Sequence, residues 1–316
     1  MTLTLQTSST IIGHARVKTN LAQTTAHSVL LCGPARVGRR ELASWWAQRL
    51  NCLNPNDLEP CGTCVSCQNF RAGTHPDYLE ISPKTETSTG KKARSSIIPI
   101  KAISGSHDPD HDYELHVLDW LETGARYRHK VVVFDGAEFL NEAAANALLK
   151  IVEEPPHQAR FVFIAEDVSG VMPTIVSRSV QIRVPPVSGV DLERAWLAHH
   201  AQLDTELLEF ASGRPGLILN ADHTRDCLDA AREFWMALEN DLLAALTAAD
   251  VLEKNFDRDL SPDALRFLLR NKPASTRVKA DLAIEKALEA LERYATPSLV
   301  FMVLALECRA AFGVAR

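Results

Sequence analysis

An apolar run long enough to cross a membrane is missing from this sequence. Among its 316 residues, no apolar stretch approaches the ~20 residues that a membrane-spanning helix needs. The amino terminus, Met1–Gln6, lacks the basic region and the long apolar region of a secretory signal peptide. We therefore expect a cytoplasmic protein.

Positive charge is also in short supply. The chain has 34 Lys and Arg residues against 40 Asp and Glu residues, a formal net charge of -6. Binding of DNA through counterion release requires clustered Lys and Arg. The composition therefore argues against a protein that coats DNA on its own, and any nucleic-acid contact must be local or shared with partners.

One polar segment, residues 83–112, interrupts this acidic background with a basic group. Its members are Lys84, Lys91, Lys92, Arg94 and Lys101. The low apolar content favours a solvated loop. The alternative is a set of phosphate contacts to DNA.

The cysteines are few and unevenly placed. Four of the seven, Cys52, Cys61, Cys64 and Cys67, follow the spacing C-x8-C-x2-C-x2-C. In a reducing compartment this spacing indicates metal ligation rather than disulfides, and four thiolates suit a structural Zn²⁺. A catalytic zinc would need an open coordination position, and unligated thiols are the remaining alternative. The other three cysteines, in apolar surroundings, are expected in the core: Cys32, Cys227 and Cys308.

Residues 33–40 have the glycine spacing of a phosphate-binding loop without its working side chains. Gly33 and Gly38 match the pattern G-x-x-x-x-G-K-[ST], but the lysine is replaced by Arg39 and the metal-binding hydroxyl by Arg40. An apolar run precedes the loop and a helix-compatible segment follows it, as a P-loop requires. A simple turn between a strand and a helix is the alternative.

Apolar and β-branched runs alternate with helical segments as far as about residue 185, which predicts a parallel sheet with helices on both faces. The runs are Val29–Cys32, Tyr78–Ile81, Val131–Phe134, Phe161–Ala165 and Val180–Val184. From Asp191 onward the chain is rich in Ala, Leu and Glu with helical spacing. Leucines indicate the apolar stripes there: Leu242, Leu243, Leu246, Leu282, Leu288 and Leu291.

Four segments, in order, resemble bacterial clamp-loader subunits of the AAA+ family. Lys130–Pro156 is similar to their Walker B strand and the helix after it. Gly73–Tyr78 follows the cysteine cluster, Pro173–Ser179 resembles the family's Ser-Arg-Cys motif, and Ala295–Leu299 lies in the last helical region. The resemblance extends over nearly the whole chain.

This resemblance implies three domains. An α/β AAA+ nucleotide-fold domain with a P-loop-type parallel sheet is expected over residues 1–186, with a zinc module at 52–67. A small helical lid is expected over 187–224, and a helical collar that mediates oligomerisation over 225–316.

The same resemblance implies a nucleotide site with several defects. Asp135 corresponds to the Walker B aspartate, but Gly136 stands where active relatives have a catalytic glutamate, and Glu138 is expected to point elsewhere. The first sensor position falls at Ala165 or Glu166 and the second at Gly216, with the nearby Arg214 as the alternative if the alignment is slightly shifted. We therefore expect no intrinsic ATPase activity, and ATP binding is not expected.

Arg178, in the Ser-Arg-Cys-like motif, is the residue that the resemblance assigns to catalysis. In the family this arginine acts in trans on the ATP of an adjacent subunit. The resemblance implies a non-hydrolysing stator of the DNA polymerase III holoenzyme with gamma/tau and delta subunits as partners, acting indirectly on the sliding clamp and primed DNA. Two alternatives stay open: an active ATPase subunit of the same family, and a zinc-dependent DNA-binding protein.

Overall fold

The computed structural model describes residues 11–83, 97–105, 113, 115–293 and 295–313. Of the basic group, Lys101 lies in a short 3₁₀ turn, while the other four members lie outside the described residues. The chain forms two compact units. The first runs to His199 and includes Gly213–Gly216, and the second comprises His200–Ser212 and the chain from Leu217 onward.

Five parallel strands form the sheet of the first unit, in the spatial order β2-β3-β4-β1-β5. This confirms the predicted parallel sheet, with each strand within a residue of its expected bounds. The strands are β1 Ser28–Cys32, β2 Tyr78–Ile81, β3 Val131–Asp135, β4 Arg160–Ala165 and β5 Val180–Arg183.

The inner strands β1, β3 and β4 are largely buried on both faces of the sheet, as near-continuous apolar strands predict, whereas β5 at the edge is mostly exposed. Side chains alternate along each strand, so Leu30 and Phe134 belong to one core and Leu31 and Val133 to the other. On the first face Phe134 stacks on the strand β4 phenylalanine, with ring centroids 5.0 Å apart. The helices of this part of the chain are α1 Ala15–Gln23, α2 Arg39–Asn51, α3 Val65–Arg71, α4 Val117–Leu121, α5 Glu142–Glu153, α6 Pro173–Val176 and α7 Gly189–Leu197.

Helix α5 shows how the sequence fixes a boundary at each end. The Asn141 side chain accepts a hydrogen bond from the backbone N–H of Ala144, which caps the first turn. Pro155 follows the helix end closely, because the residue before a proline avoids the helical region. The buried stripe of α5, Ala144, Ala145, Leu148 and Val152, packs on the Phe134 face.

Only helices follow β5 among the described residues, as predicted. After α7 they are α8 Thr205–Ala211, α9 Pro215–Leu219, α10 Ala221–Leu238, α11 Leu242–Lys254, α12 Ser261–Leu268, α13 Ala274–Glu292 and α14 Pro297–Ala311. Within the described part of the chain, no helix combines the length and apolar content needed to span a membrane. The division into three domains stays a prediction.

The leucine stripes expected in these later helices are partly wrong. Leu243 of α11 is 74% exposed and Leu282 of α13 is 57% exposed. Alanines take the buried positions instead, including Ala245 in α11 and Ala283 in α13. Small side chains let neighbouring helices approach closely, so the leucines beside them are displaced to the surface.

Candidate functional site

The loop after β1 keeps its glycines for reasons of backbone geometry. A Cβ at Gly33 would lie 2.1 Å from the carbonyl oxygen of Val184, because the loop crosses directly over the end of β5. Gly38 has a φ of 107°, a left-handed value that L side chains rarely adopt. The frame of a phosphate-binding loop is therefore present, and its two glycines are required by the fold itself.

Arg39 and Arg40 open helix α2, where each pairs with a carboxylate of its own chain. The Nη2 atom of Arg39 lies 3.8 Å from Glu166 Oε1, and its side chain is only 12% exposed. Arg40 forms a salt bridge with Glu80, and its Nε lies 4.0 Å from Asp135 Oδ2. The positions that would hold phosphate and metal are thus filled by internal ion pairs.

Asp135 ends β3, as the Walker B resemblance requires, but the next position cannot serve as a base. Gly136 has a φ of 92°, and a Cβ there would meet the Phe139 ring at 2.6 Å. Burial, and next the Glu80 carboxylate, raise the pKa of Asp135 above its usual value, although Arg40 acts in the opposite direction. Gly136 therefore offers no carboxylate, and both its backbone conformation and the nearby Phe139 ring disfavour any side chain at this position.

Glu138 is closer to this site than the sequence suggests. Its Oε1 accepts a hydrogen bond of 3.2 Å from the backbone N–H of Glu166, the residue after β4. The expectation that Glu138 points elsewhere is therefore wrong: its short 3₁₀ turn directs the carboxylate toward the neighbouring strand end. Its Oε1 is engaged there with backbone, while its Oε2 is buried without a hydrogen-bond partner among the described residues.

The predicted second sensor position packs directly against the loop. The Gly216 N–H donates to the carbonyl oxygen of Arg36 at 2.9 Å. A Cβ on Gly216 would lie 2.9 Å from that oxygen and 3.0 Å from the Arg36 Cβ. A sensor arginine does not fit at this backbone position, since any side chain would collide with the loop.

Arg178 follows helix α6 and is held by its own chain. Its Nε and Nη2 atoms form a salt bridge with Glu153 at the end of α5. Its Nη1 donates to the carbonyl oxygen of Thr174 at 3.0 Å. The side chain is 32% exposed, so the guanidinium is anchored yet reachable from solvent.

The third position of the motif, Ser179, contacts the amino end of β1. Its hydroxyl lies 2.7 Å from the hydroxyl of Ser28, which is buried. Because β1 and β5 are parallel neighbours, Arg178 lies at the amino end of the sheet and the loop at Gly33 lies beyond the carboxyl end. Strand β1 has 5 residues. At ~3.3 Å per residue, it separates Arg178 from the loop at Gly33 by more than roughly 13 Å.

The four cysteines of the predicted metal site come together from the end of α2 to the first turn of α3. Their Sγ atoms all lie within 4.8 Å of one another. A tetrahedral zinc with Zn–S distances of ~2.3 Å would place its sulfurs roughly 3.8 Å apart. Backbone N–H groups also point at the sulfurs, from Cys61 to Cys52, from Cys64 to Cys61 and from Cys67 to Cys64. These four residues could hold a metal ion.

The pKa values of the thiols in this cluster favour the binding of a cation. N–H groups of Cys64 and Thr63 lower the pKa of Cys61 to about 6. Burial raises the pKa of Cys52 and of Cys67. A buried thiol beside a thiolate resists ionisation, because both burial and like charge disfavour a second anion. A metal ion bound by all four sulfurs removes that penalty.

The Gly73–Tyr78 segment joins this cluster to the sheet. His75 is buried, stacks on Phe70 with ring centroids 4.0 Å apart, and its Nε2 lies 3.0 Å from Ser66 Oγ. The Asp77 carboxylate accepts backbone N–H bonds from Arg126 and Tyr127 at 2.8 and 2.7 Å. The motif therefore has a structural role, and we find no sign in it of a reactive site.

The chain is similar in sequence to known proteins over more than half of its length. A family model described as DNA polymerase III, delta subunit, matches residues 14–188. The chain is 37% identical over 195 residues to DNA polymerase III subunit delta' of Pseudomonas aeruginosa, which covers 60% of this chain and 54% of that protein. The chain belongs to the DNA polymerase III delta prime family. It is 30% identical over 217 residues to subunit delta' of Haemophilus influenzae, covering 66% of this chain and 60% of that protein.

Two further proteins are more distantly similar to this delta prime family chain. Escherichia coli DNA polymerase III subunit tau is 27% identical over 270 residues, which cover 84% of this chain and 36% of that protein. A gamma subunit-related protein from Thermotoga maritima shares the fold, with a TM-score of 0.51 at 16% identity, covering 93% of this chain and 98% of that one. The matches span little more than half the length of the two delta' relatives.

Two residues of the site were not singled out by the sequence. Glu80 gave a signal, since a carboxylate near the carboxyl end of a short and otherwise apolar strand needs a partner. The signal for Glu153 was weaker. The adjoining Glu154 is an equally good partner for Arg178 until the position of the turn after α6 is known.

Proposed function

We propose that the chain is a non-hydrolysing subunit of a bacterial replicative clamp loader. It assembles in the cytoplasm with gamma/tau and delta subunits as part of the DNA polymerase III holoenzyme, and so helps to load the sliding clamp onto primed DNA. It contributes Arg178 to the ATP site of a neighbouring subunit, and it neither binds nor hydrolyses ATP itself. Family membership and the filled loop site support this proposal.

The observation that carries the proposal is the separation of Arg178 from its own loop. The arginine precedes β5 at the amino end of the sheet, whereas Arg39 follows β1 beyond the carboxyl end. A side chain of ~7 Å cannot bridge a strand that rises ~3.3 Å per residue. Arg178 therefore cannot reach a phosphate at its own loop, which supports a role in trans.

The chemistry needed in trans is electrostatic. Negative charge develops on the transferred phosphoryl group, and a guanidinium held close to it stabilises the transition state. Before that contact, Glu153 engages two of the guanidinium nitrogens. Arg178 must exchange a carboxylate for a phosphate oxygen, and the partial exposure of the pair keeps the cost of that exchange small.

The metal of the cysteine cluster is proposed to be a structural zinc. Cys52, Cys61, Cys64 and Cys67 supply four sulfur ligands, which leaves no open position for a water nucleophile. The ion would crosslink the loop between α2 and α3, where the chain offers few apolar side chains.

The test compares single substitutions within the assembled complex. Arg178→Ala should reduce DNA-stimulated ATP hydrolysis and clamp loading, with a local loss at one site approaching roughly 10³- to 10⁵-fold. The bulk loss will be smaller, because other sites keep their own arginines. Arg39→Ala, the matched control, should leave both activities nearly unchanged. Gel filtration must show that each variant assembles.

Each opposite outcome identifies an alternative. If Arg178→Ala assembles and loads clamps at the normal rate while Arg39→Ala abolishes activity, the chain is an active ATPase subunit. If the purified chain binds primed DNA as a monomer and does not join gamma/tau and delta, it is a zinc-dependent DNA-binding protein.

A further inference from the structure

Arg39 and Arg40 stand where helix α2 disfavours positive charge. They are the first two residues of a 13-residue helix, and unpaired N–H groups make that end of a helix partially positive. A cation here is unfavourable unless neighbouring carboxylates compensate for it. Arg40 has such neighbours on two adjacent strands.

Glu80 and Asp135 form a carboxylate pair on one face of the sheet. Glu80 lies opposite Val133 in the parallel β2–β3 ladder, and Asp135 is two residues beyond Val133, so both side chains point to the same side. Tyr78 donates a hydrogen bond of 2.8 Å to Glu80 Oε2, which fixes that carboxylate. Both carboxylates lie within 4.0 Å of the same guanidinium, and two like charges placed in this way repel each other unless a cation lies between them.

The Arg40 guanidinium supplies that cation. It forms a salt bridge with Glu80, and its Nε is 4.0 Å from Asp135 Oδ2. In a hydrolysing P-loop protein a hydroxyl at position 40 and an acidic residue at the end of the third strand hold Mg²⁺. Arg40 therefore replaces a metal ligand with a positive charge.

We infer that the Arg40 guanidinium acts as a built-in cation that occupies the place of a divalent metal ion and excludes Mg²⁺ from the Glu80–Asp135 pair. The inference deepens the proposed function, since it gives a physical cause for the absence of metal-dependent hydrolysis. Mg²⁺ requires oxygen ligands at ~2.0–2.1 Å in near-octahedral geometry. A guanidinium at this position both repels the ion and takes the oxygens that would bind it.

The experiment uses Mn²⁺ as the probe and the full chain saturated with zinc, so that the cysteine cluster does not compete. Arg40→Ser should bind Mn²⁺ at least roughly tenfold more tightly than the wild-type chain, as measured by electron paramagnetic resonance of free Mn²⁺. A unit charge removed from ~4 Å away is worth more than that factor even near a protein surface. Arg40→Lys, which keeps the charge, should show no such gain.

A second pair of variants locates the bound ion. Glu80→Gln combined with Arg40→Ser should remove the gained affinity, because one of the two carboxylates is lost. Arg40→Gln keeps most of the side-chain volume and serves if the serine variant unfolds, which circular dichroism will reveal. It should gain affinity for Mn²⁺ in the same direction.

The inference is overturned if folded Arg40→Ser and Arg40→Gln bind Mn²⁺ no more tightly than the wild-type chain. It is also overturned if the wild-type chain binds Mn²⁺ as tightly as those variants and Glu80→Gln in the wild-type chain abolishes that binding. These measurements need no partner subunit, so their failure is distinct from a failure of Arg178 to act in trans.

Discussion

At the scale of single residues, structural constraints explain two glycines and one buried histidine in and near the site. Gly33 is required by a close backbone approach, and Gly136 by a left-handed conformation. His75 is required by a buried contact between the cysteine segment and the sheet. Each of these residues lies in a segment that the sequence singled out, and each has a structural cause that is visible only in three dimensions.

Gly33→Ala should destabilise the chain. The added methyl would meet the Val184 carbonyl oxygen at 2.1 Å, and relief requires a shift of backbone, so we expect a loss of about 1–3 kcal/mol or more in the free energy of unfolding. Gly189→Ala is the matched control, because nothing lies within 4 Å of a Cβ there. Urea unfolding of both variants tests this, and equal stabilities would contradict the close approach.

His75 should make stability depend on mildly acidic pH. Burial lowers the pKa of His75 from 6.5 to about 4, so between these values the unfolded chain binds more protons than the folded one. The free energy of unfolding should therefore be fully retained above pH 6.5 and fall as the pH drops toward 4. Urea unfolding across this range measures the slope.

His75→Asn separates this effect from acid release of metal. Asparagine keeps an acceptor for the Asp77 N–H but does not titrate, while the cysteine cluster is unchanged. The variant should lose part of the slope between pH 6.5 and 4. Superimposable pH profiles for the two proteins would show that His75 does not contribute.

At the scale of elements, strands were predicted well and helix faces less well. Runs such as Val131–Phe134 are apolar at every position and too short for a helix, so a buried parallel strand is the simplest interpretation. Helices α11 and α13 offer both alanines and leucines at helical spacing. Which set is buried depends on how closely the neighbouring helices pack, and that distance is not encoded in the period of one helix.

The candidate site was also predicted only in part, because the sequence indicates local patterns but not long-range pairs. The loop glycines, Asp135 and the cysteine cluster are local patterns, and the sequence was sufficient to find them. The pairing of Arg40 with Glu80 and of Arg178 with Glu153 joins residues far apart in the chain. Such pairs depend on strand order and on the turn after a helix, so they could not be predicted from spacing.

Arg309 should stabilise the second unit by joining the end of α10 to the start of α11. It is 6% exposed, and its Nη1 donates to the carbonyl oxygens of Leu238, Asn240 and Asp241 at 2.8, 2.6 and 3.2 Å. Arg309→Met keeps the volume but leaves those acceptors without this donor, which should cost about 1–3 kcal/mol. Thermal unfolding measures the loss.

Arg293→Met is the control for that substitution. Arg293 is 82% exposed and pairs only loosely with Glu289, at 3.9 Å, so its loss should change stability by less than about 0.5 kcal/mol. If the two variants unfold at the same temperature, the buried contacts of Arg309 do not stabilise α10 and α11.

At the scale of the whole molecule, the chain forms two compact units, and the cysteine cluster belongs to the first. Cys64→Ser should therefore abolish stoichiometric zinc while the helices of the second unit stay folded. Metal analysis and circular dichroism after purification under reducing conditions test both parts. Cys308→Ala, a cysteine from the second unit, should retain the metal.

Two results would oppose this expectation. Wild-type chain without about one zinc per molecule would remove the metal assignment. Loss of helicity throughout the chain in Cys64→Ser would show that the cluster is required for the fold of both units rather than for one.

The left-handed backbone at Gly136 has a consequence for any attempt to build a carboxylate into this site. A glutamate introduced at position 136 would bring its Cβ to 2.6 Å from the Phe139 ring. A hydroxyl introduced at position 40 would, by itself, leave Glu80 and Asp135 without their cation. Each substitution is therefore disfavoured when it is made alone, and the two would have to be made together with a change that makes room beside Phe139.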